Sequence, residues 1–221
     1  MKGIRLLGLA LLLIPAVCHA GIGTELNGLA SFGLGGGLMR WVADSDAAEY
    51  NGNAAQIRPI GKAVFRYRFN TDWLGTVEAG YGWNGYANTG DATLVVIPLT
   101  LGIERRLGNL SSITTSLAAG AGMYIWGFRQ GGQFLRDPQT SERLQATSPG
   151  VYLGGTGEFH VSTHVTSTIH LNAHYILSTG PIEDRYPTAF GGDDVFVELR
   201  MGLNYYFSPY QGLIWEPSGG E

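Results

Sequence analysis

Three groups of residues in this sequence carry side chains that could do chemistry. His160 and Ser162 stand two apart in the alternating stretch GVYLGGTGEFHVS. Residues i and i+2 of a strand share a face, so a base would lie beside a hydroxyl nucleophile, the pairing used in acyl transfer. Such a pair needs an acid to orient the histidine, and none occupies a fitting place in the following segment, VTSTIHLNAHYIL. His170 and His174 also share a face. Four residues of strand span about 13 Å, whereas ligand bonds to a metal are about 2 Å long, so these two cannot hold one ion. The residue pattern therefore assigns no catalytic residue, metal site or cofactor.

The third group is a run of bases. Residues 57–69 read IRPIGKAVFRYRF, with Arg58, Ile60, Lys62, Val64, Arg66 and Arg68 at even positions and Ile57, Pro59, Gly61, Ala63, Phe65, Tyr67 and Phe69 at odd ones. This period of two makes a strand with one polar and one apolar face. A soluble sheet would turn the arginines to water. A barrel in a membrane inverts the arrangement, with apolar side chains in lipid and charges inside. On the second reading Glu78, Glu104, Glu158 and Glu198 occupy the same interior as Arg58, Lys62, Arg66 and Arg68, with Arg200 as a further base. If Phe69 pairs with Trp73, Glu78 lies opposite Val64 and diagonal to Lys62 and Arg66, about 7–8 Å away and within reach of long side chains. By the same logic His170 pairs with Glu158.

The elements that would position these charges are strands over 29–42, 57–69, 73–86, 92–106, 111–128, 150–161, 165–177 and 195–207. Asn, Asp, Gly and Ser at the breaks supply turn chemistry. Connections alternate between short (70–72, 107–110, 162–164) and long (43–56, 87–91, 129–149, 178–194), as in barrels with short turns at one end and long loops at the other. Ten strands stay open if 129–149 hides a hairpin; eight is the preferred count. One face of 73–86 carries Val77, Ala79, Tyr81 and Trp83, the other Thr76, Glu78, Gly80, Gly82 and Asn84. Trp41, Phe69, Trp73, Trp83, Tyr86, Trp126, Tyr205 and Phe207 gather near strand ends, where an interfacial girdle is expected. The fold class is thus all-β, an eight-stranded antiparallel up-and-down transmembrane β-barrel.

The ends and the composition agree. Lys2 and Arg5 precede an apolar run, and Cys18-His19-Ala20 presents a cleavage site after Ala20, so residues 1–20 read as a signal peptide, 21–207 as the barrel and 208–221 as a short tail. The run is too short to span about 30 Å of hydrocarbon. Cys18 also admits a lipoprotein reading, although Val17 stands where a small residue is expected. Removing Lys2 and Arg5 from 14 basic residues leaves 12 against 18 acidic, a formal charge of −6 that gives no electrostatic case for nucleic-acid binding. Only 14 % of residues are charged, against about 25 % in soluble domains.

Residues 200–207, RMGLNYYF, place Arg200, Gly202, Tyr205 and Phe207 in a pattern that resembles the C-terminal assembly signal of bacterial outer-membrane barrels. With the strand count, the chain resembles the small OmpA-, OmpX- and OmpW-like barrels. The resemblance implies an outer-membrane location, insertion by the barrel assembly machinery, and contact with outer-membrane lipid and lipopolysaccharide as a monomer. It departs from the family after Phe207, where SPYQGLIWEPSGGE continues on the periplasmic side, with Tyr210, Leu213, Ile214 and Trp215 apolar enough to dock at the barrel mouth. An eight-stranded barrel has room for packed side chains rather than a wide pore, so the charges are expected to form an ion-pair network that plugs the lumen. The expected role is structural or surface-interactive, with the acidic loop residues Asp44, Asp46, Glu49, Glu183, Asp184, Asp193 and Asp194 facing a cell-surface partner, or lipopolysaccharide through divalent cations. The alternatives are a narrow or gated solute channel and a lipid-remodelling enzyme. Some small outer-membrane barrels deacylate lipid A with His and Ser two apart, but His160 and Ser162 fall at the periplasmic end, away from the outer leaflet.

Overall fold

Strict alternation of apolar and polar residues, with no alternative helical period, drives this chain into long antiparallel strands. The computed structural model describes residues 30–42, 57–85, 93–110, 113–130, 132–138, 140–177 and 194–207. The expected signal peptide, the tail 208–221, Tyr86 and the loop acids Asp44, Asp46, Glu49, Glu183, Asp184 and Asp193 lie outside them, as do the side chains of Trp83 and Asp194. The strands are β1 (Ala30–Trp41), β2 (Arg58–Arg68), β3 (Trp73–Gly85), β4 (Thr93–Leu110), β5 (Ile113–Gln130), β6 (Gln133–Phe134), β7 (Gln145–His160), β8 (Val165–Ile176) and β9 (Asp194–Phe207).

Eight of them close a ring. The hydrogen-bonded order is β4-β3-β2-β1-β9-β8-β7-β5, and β4 pairs with β5 to complete it. First and last strands meet from Ala30↔Phe207 to Trp41↔Phe196. Closure leaves no open sheet edge, the condition for strands in lipid, where unpaired N–H and C=O groups find no water. The ninth, β6, pairs only with the end of β5 (Arg129↔Phe134, Gln130↔Gln133), and an Arg136↔Arg143 bridge continues that small hairpin beyond the ring. The 129–149 segment thus does hold a hairpin, but it adds no barrel strand.

Two boundaries differ from the sequence reading by more than two residues. β7 starts at Gln145 rather than 150, passing through Pro149. The Pro149 carbonyl accepts from Leu177 N at 2.9 Å just past the end of β8, so the one bond that proline cannot return falls at the last rung, where the β7–β8 ladder stops. β4 continues through the expected turn 107–110: register shifts between Arg106 and Gly108, a bulge that lets Gly108, Asn109 and Leu110 pair with Thr115, Thr114 and Ile113. The other two short turns are built as their residues imply. Asn70 Oδ1 accepts from Asp72 N and Trp73 N (2.9 and 3.0 Å), and Ser162 Oγ accepts from His164 N and Val165 N (3.3 and 3.1 Å).

Parity sorts the side chains. Leu34, Leu101, Leu153 and Leu203 stand on the outer surface at 59–66 % exposure, with Val77, Ile103, Leu117, Leu171 and Leu199 around them. An apolar belt encircling the molecule far exceeds the few hundred Å² that a water-soluble monomer exposes, and it suits hydrocarbon. Inside, Lys62, Glu78, Glu104, Glu158, Glu198 and Arg200 are each at most 4 % exposed.

Glycine makes room for one large interior side chain. A Cβ at Gly102 or Gly120 would collide with the Tyr152 ring or hydroxyl. Gly102→Ala should therefore destabilise the barrel by about 1–3 kcal/mol. Tyr152→Phe, which removes the nearest clashing atom, should restore part of that loss in a urea titration of the micelle-bound protein.

Candidate functional site: the barrel interior

Inward side chains gather at three levels, and the strand register decides each. At mid-height Val64↔Glu78 and Asn172↔Glu198 bring β2, β3, β8 and β9 together around one charge cluster. Lys62 Nζ lies 2.7 Å from Glu198 Oε1 and 3.2 Å from Glu78 Oε2. Arg200 Nη2 reaches both Glu78 oxygens at 3.3 Å, and its Nε is 3.7 Å from Glu198 Oε1. Asn172 Nδ2 donates to the same Glu198 oxygen at 2.9 Å. Two acids and two bases thus alternate in contact, which holds unit charges where each alone would cost several kcal/mol to bury.

Toward the short turns lies a second cluster. Arg66 bridges Glu104 at 3.2 Å and Glu158 at 3.5 Å. Glu158 Oε1 accepts from Tyr206 Oη (2.6 Å) and Thr166 Oγ1 (2.7 Å). His170 does not pair with Glu158, contrary to the sequence expectation. The β7–β8 register does make the two diagonal neighbours, with His170 opposite Thr156 and Glu158 opposite Thr168, but Arg66, Tyr206 and Thr166 take the carboxylate. His170 Nδ1 lies 3.1 Å from Thr156 Oγ1, and Nε2 lies 3.4 Å from Arg66 Nη2. A guanidinium only donates, so Nε2 accepts and Nδ1 carries the hydrogen.

Toward the long loops the lumen is aromatic. Trp41, Tyr124, Trp126 and Phe196 pack with Met39, Ile60, Val96, Ala146 and Ile176, all buried. Trp41 stands 6.3 Å from Trp126 and 5.3 Å from Phe196 between ring centroids. The His174 ring stacks on Phe196 at 4.4 Å, joining this plug to the mid-height charges, and its Nε2 is 3.4 Å from Glu198 Oε1. This corrects the girdle assignment for two residues. Trp41 shares the inward face with Met39, and Trp126 shares it with Tyr124. The other described girdle residues, Phe69, Trp73 and Tyr205, are exposed, and Phe207 is half-buried. Arg105 covers the Trp73 ring at 5.7 Å on that outer rim.

Of the sequence-assigned charges, Lys62, Arg66, Glu78, Glu104, Glu158, Glu198 and Arg200 thus fall into two buried clusters. Arg58 is half-buried four residues up β2 from Lys62, at the loop end. Arg68, at the opposite end, lies with Cζ 5.9 Å from the Tyr206 ring centroid and makes no ion pair among the described residues. In the assembly pattern Arg200 is spent on the mid-height cluster, Gly202 meets Gly35 across the β1–β9 seam, Tyr205 points out, and Phe207 ends the last ladder. Ser162 gives its hydroxyl to the turn that follows β7, and His160 is half-buried above it. Among the described residues no group of three His, Cys, Asp or Glu could hold a metal ion. Sequence reasoning missed Arg106, Tyr152, Phe196 and Tyr206 inside the barrel. Their even numbers match those of Glu104, Glu158 and Glu198 on the same strands, so the signal was there in the parity.

No family model matches the sequence, and no curated protein matches it. Solved structures match the fold. Neisserial surface protein A aligns with a TM-score of 0.57 at 14 % identity over 80 % of this chain and 97 % of its own. Ail, the attachment invasion locus protein of Yersinia pestis, solved with the heparin analogue sucrose octasulfate, gives 0.50 at 15 % over 82 % and 100 %. A major outer membrane protein of Thermus thermophilus gives 0.50 at 11 % over 80 % and 99 %. In fold the chain is therefore a small eight-stranded barrel of the outer-membrane type, as its strand pattern and final-strand motif implied.

Proposed function

We propose that this chain is an integral outer-membrane protein whose barrel is a filled, non-conducting scaffold that presents its long loops to the cell exterior. One observation carries the reading: the lumen holds two ion-paired layers capped by an aromatic layer, with Trp126, Tyr124, Phe196, Glu198 and Arg200 each at most 1 % exposed. Nothing of the kind is needed by a pore, whose wall must stay wet. The work then falls to the surface. Ail's name and its sulfated-sugar ligand favour a surface-interaction role for a barrel of this shape, and the acidic loops expected here suit lipopolysaccharide bridged by divalent cations. The assembly machinery would act on Gly202, Tyr205 and Phe207 during insertion, and the barrel would stand as a monomer, its interior complete without a second chain.

Single-channel recording of the mature, refolded protein in a planar bilayer tests this, after a gel shift between unheated and boiled samples confirms folding. Silence is expected. Discrete openings would replace the reading with that of a narrow channel gated at the Lys62–Glu78–Glu198–Arg200 cluster, in which case Glu78→Gln should raise the conductance.

A further inference from the structure

The two charge clusters differ in balance. At mid-height Lys62 and Arg200 face Glu78 and Glu198, charge for charge. At the short-turn mouth Arg66, Arg68 and Arg106 share, among the described residues, Glu104 and Glu158, and Glu158 is already held by Arg66, Tyr206 and Thr166. Arg106 Nη2 stays 3.9 Å from Glu158 Oε2, beyond hydrogen-bonding distance. The exposed Asp72, on the adjoining turn, makes no ion pair with either arginine among the described residues. Arg68 ends β2, Arg106 stands near the end of β4 and His160 ends β7, all at the short-turn side of the barrel. Among the described residues one positive charge is thus left over at this mouth.

The unpartnered atoms form a pattern. Arg68 leaves Nε and Nη2 buried without a hydrogen-bond partner, Arg106 leaves the same two, and His160 leaves Nε2. Nε and Nη2 are the two donors on one edge of a guanidinium, the edge that binds two oxygens of a carboxylate or phosphate in parallel. Each arginine therefore keeps a complete fork free of hydrogen bonds, at the same mouth as the unpartnered imidazole nitrogen, where charge balance calls for an anion. The β4 bulge next to Arg106 is the kind of irregularity that re-aims a side chain at a strand end.

We infer that Arg68, Arg106 and His160 form an oxyanion-binding site of the phosphate class at the short-turn mouth of the barrel, held by the two arginine forks with the histidine as third contact. It is independent of whether the lumen conducts, because the site lies below both the aromatic plug and the mid-height cluster. Under the orientation proposed above it faces the periplasm.

Calorimetric titration of inorganic phosphate into the full mature protein, refolded in nonionic micelles at low ionic strength, tests it. Saturable binding of one phosphate per chain is expected. Arg68→Gln and Arg106→Gln should each weaken it by about tenfold or more, the worth of one charge-assisted hydrogen bond. Arg105→Gln, one residue away on the outer face, should leave it unchanged. Should Arg106→Gln fail to fold, Arg106→Lys keeps the charge, removes the fork, and should still weaken binding. No saturable binding by the parent protein, an equal loss on Arg105→Gln, or chloride binding as strong as phosphate would each overturn the assignment.

Discussion

Glu198→Ala should destabilise the barrel by about 3–5 kcal/mol, the typical consequence of stranding buried charges by deleting their partner. The residue is fully buried, and its Oε1 alone meets Lys62 at 2.7 Å, Asn172 at 2.9 Å, His174 at 3.4 Å and Arg200 at 3.7 Å. Its loss leaves Glu78 facing both Lys62 and Arg200, two positive charges for one negative in a space closed to water. Urea titration followed by tryptophan fluorescence in micelles reads the loss directly. The diagnostic companion is Lys62→Met with Glu198→Leu. Removing one base and one acid together preserves balance, because Arg200 still holds both oxygens of Glu78 at 3.3 Å. The double variant should therefore lose less stability than Glu198→Ala alone. If it loses the sum of the two single changes, the four charges do not act as one network.

The same cluster marks how far the sequence can be read. Strand period, the alternation of short and long connections, and the pairing of Val64 with Glu78 are all legible, because a period of two and a three-residue turn leave little freedom in register. The partition of charges is less so. Glu158 and His170 look like partners because both are inward and near the turn 161–164. The turn 162–164 does fix their register, with His170 opposite Thr156 and diagonal to Glu158. Alternation and turn length cannot rank the inward groups that compete for one carboxylate, and Arg66, Tyr206 and Thr166 hold Glu158 instead. Trp41 and Trp126 show a different limit. Aromatic residues at strand ends suit a membrane interface, and that preference points outward where parity places both beside inward neighbours.

The barrel interior also explains why composition alone understates this architecture. An apolar outer surface cannot drive strand closure once it is in lipid, so the specificity of the closed state must come from what the lumen excludes or accepts. Here the answer changes along the axis, from aromatic packing beneath the loops, through a balanced ion-pair cluster, to a mouth with surplus positive charge. The aromatic layer rests on shape, with polar contacts such as Trp126 Nε1 to Ser148 Oγ at its margin. The charged layers need every partner present, and a single deletion is felt by several residues at once. That difference makes the aromatic level the better place to separate stability from closure.

Trp126→Ala should cost about 3–5 kcal/mol, as for other large-to-small changes of a buried ring, and should leave the barrel electrically silent. The ring is 1 % exposed, packs on Trp41, and donates from Nε1 to Ser148 Oγ at 2.8 Å. Deletion opens a cavity at the loop end and removes the bond to Ser148, so the stability loss combines packing with a lost hydrogen bond. Trp73→Ala is the control. That ring stands on the outer rim at 37 % exposure beneath Arg105, and losing an exposed cation–π contact should cost only about 0.5–1 kcal/mol. Closure is a separate matter. Beneath the lost ring, Lys62, Glu78, Glu198 and Arg200 still span the lumen, and none of their mutual contacts runs through Trp126. A conducting Trp126→Ala barrel would mean that the aromatic layer alone keeps ions out and that the charges below line a path. A destabilised but silent one would put the seal in the ion pairs, and leave the loops as the place where this protein meets its surroundings.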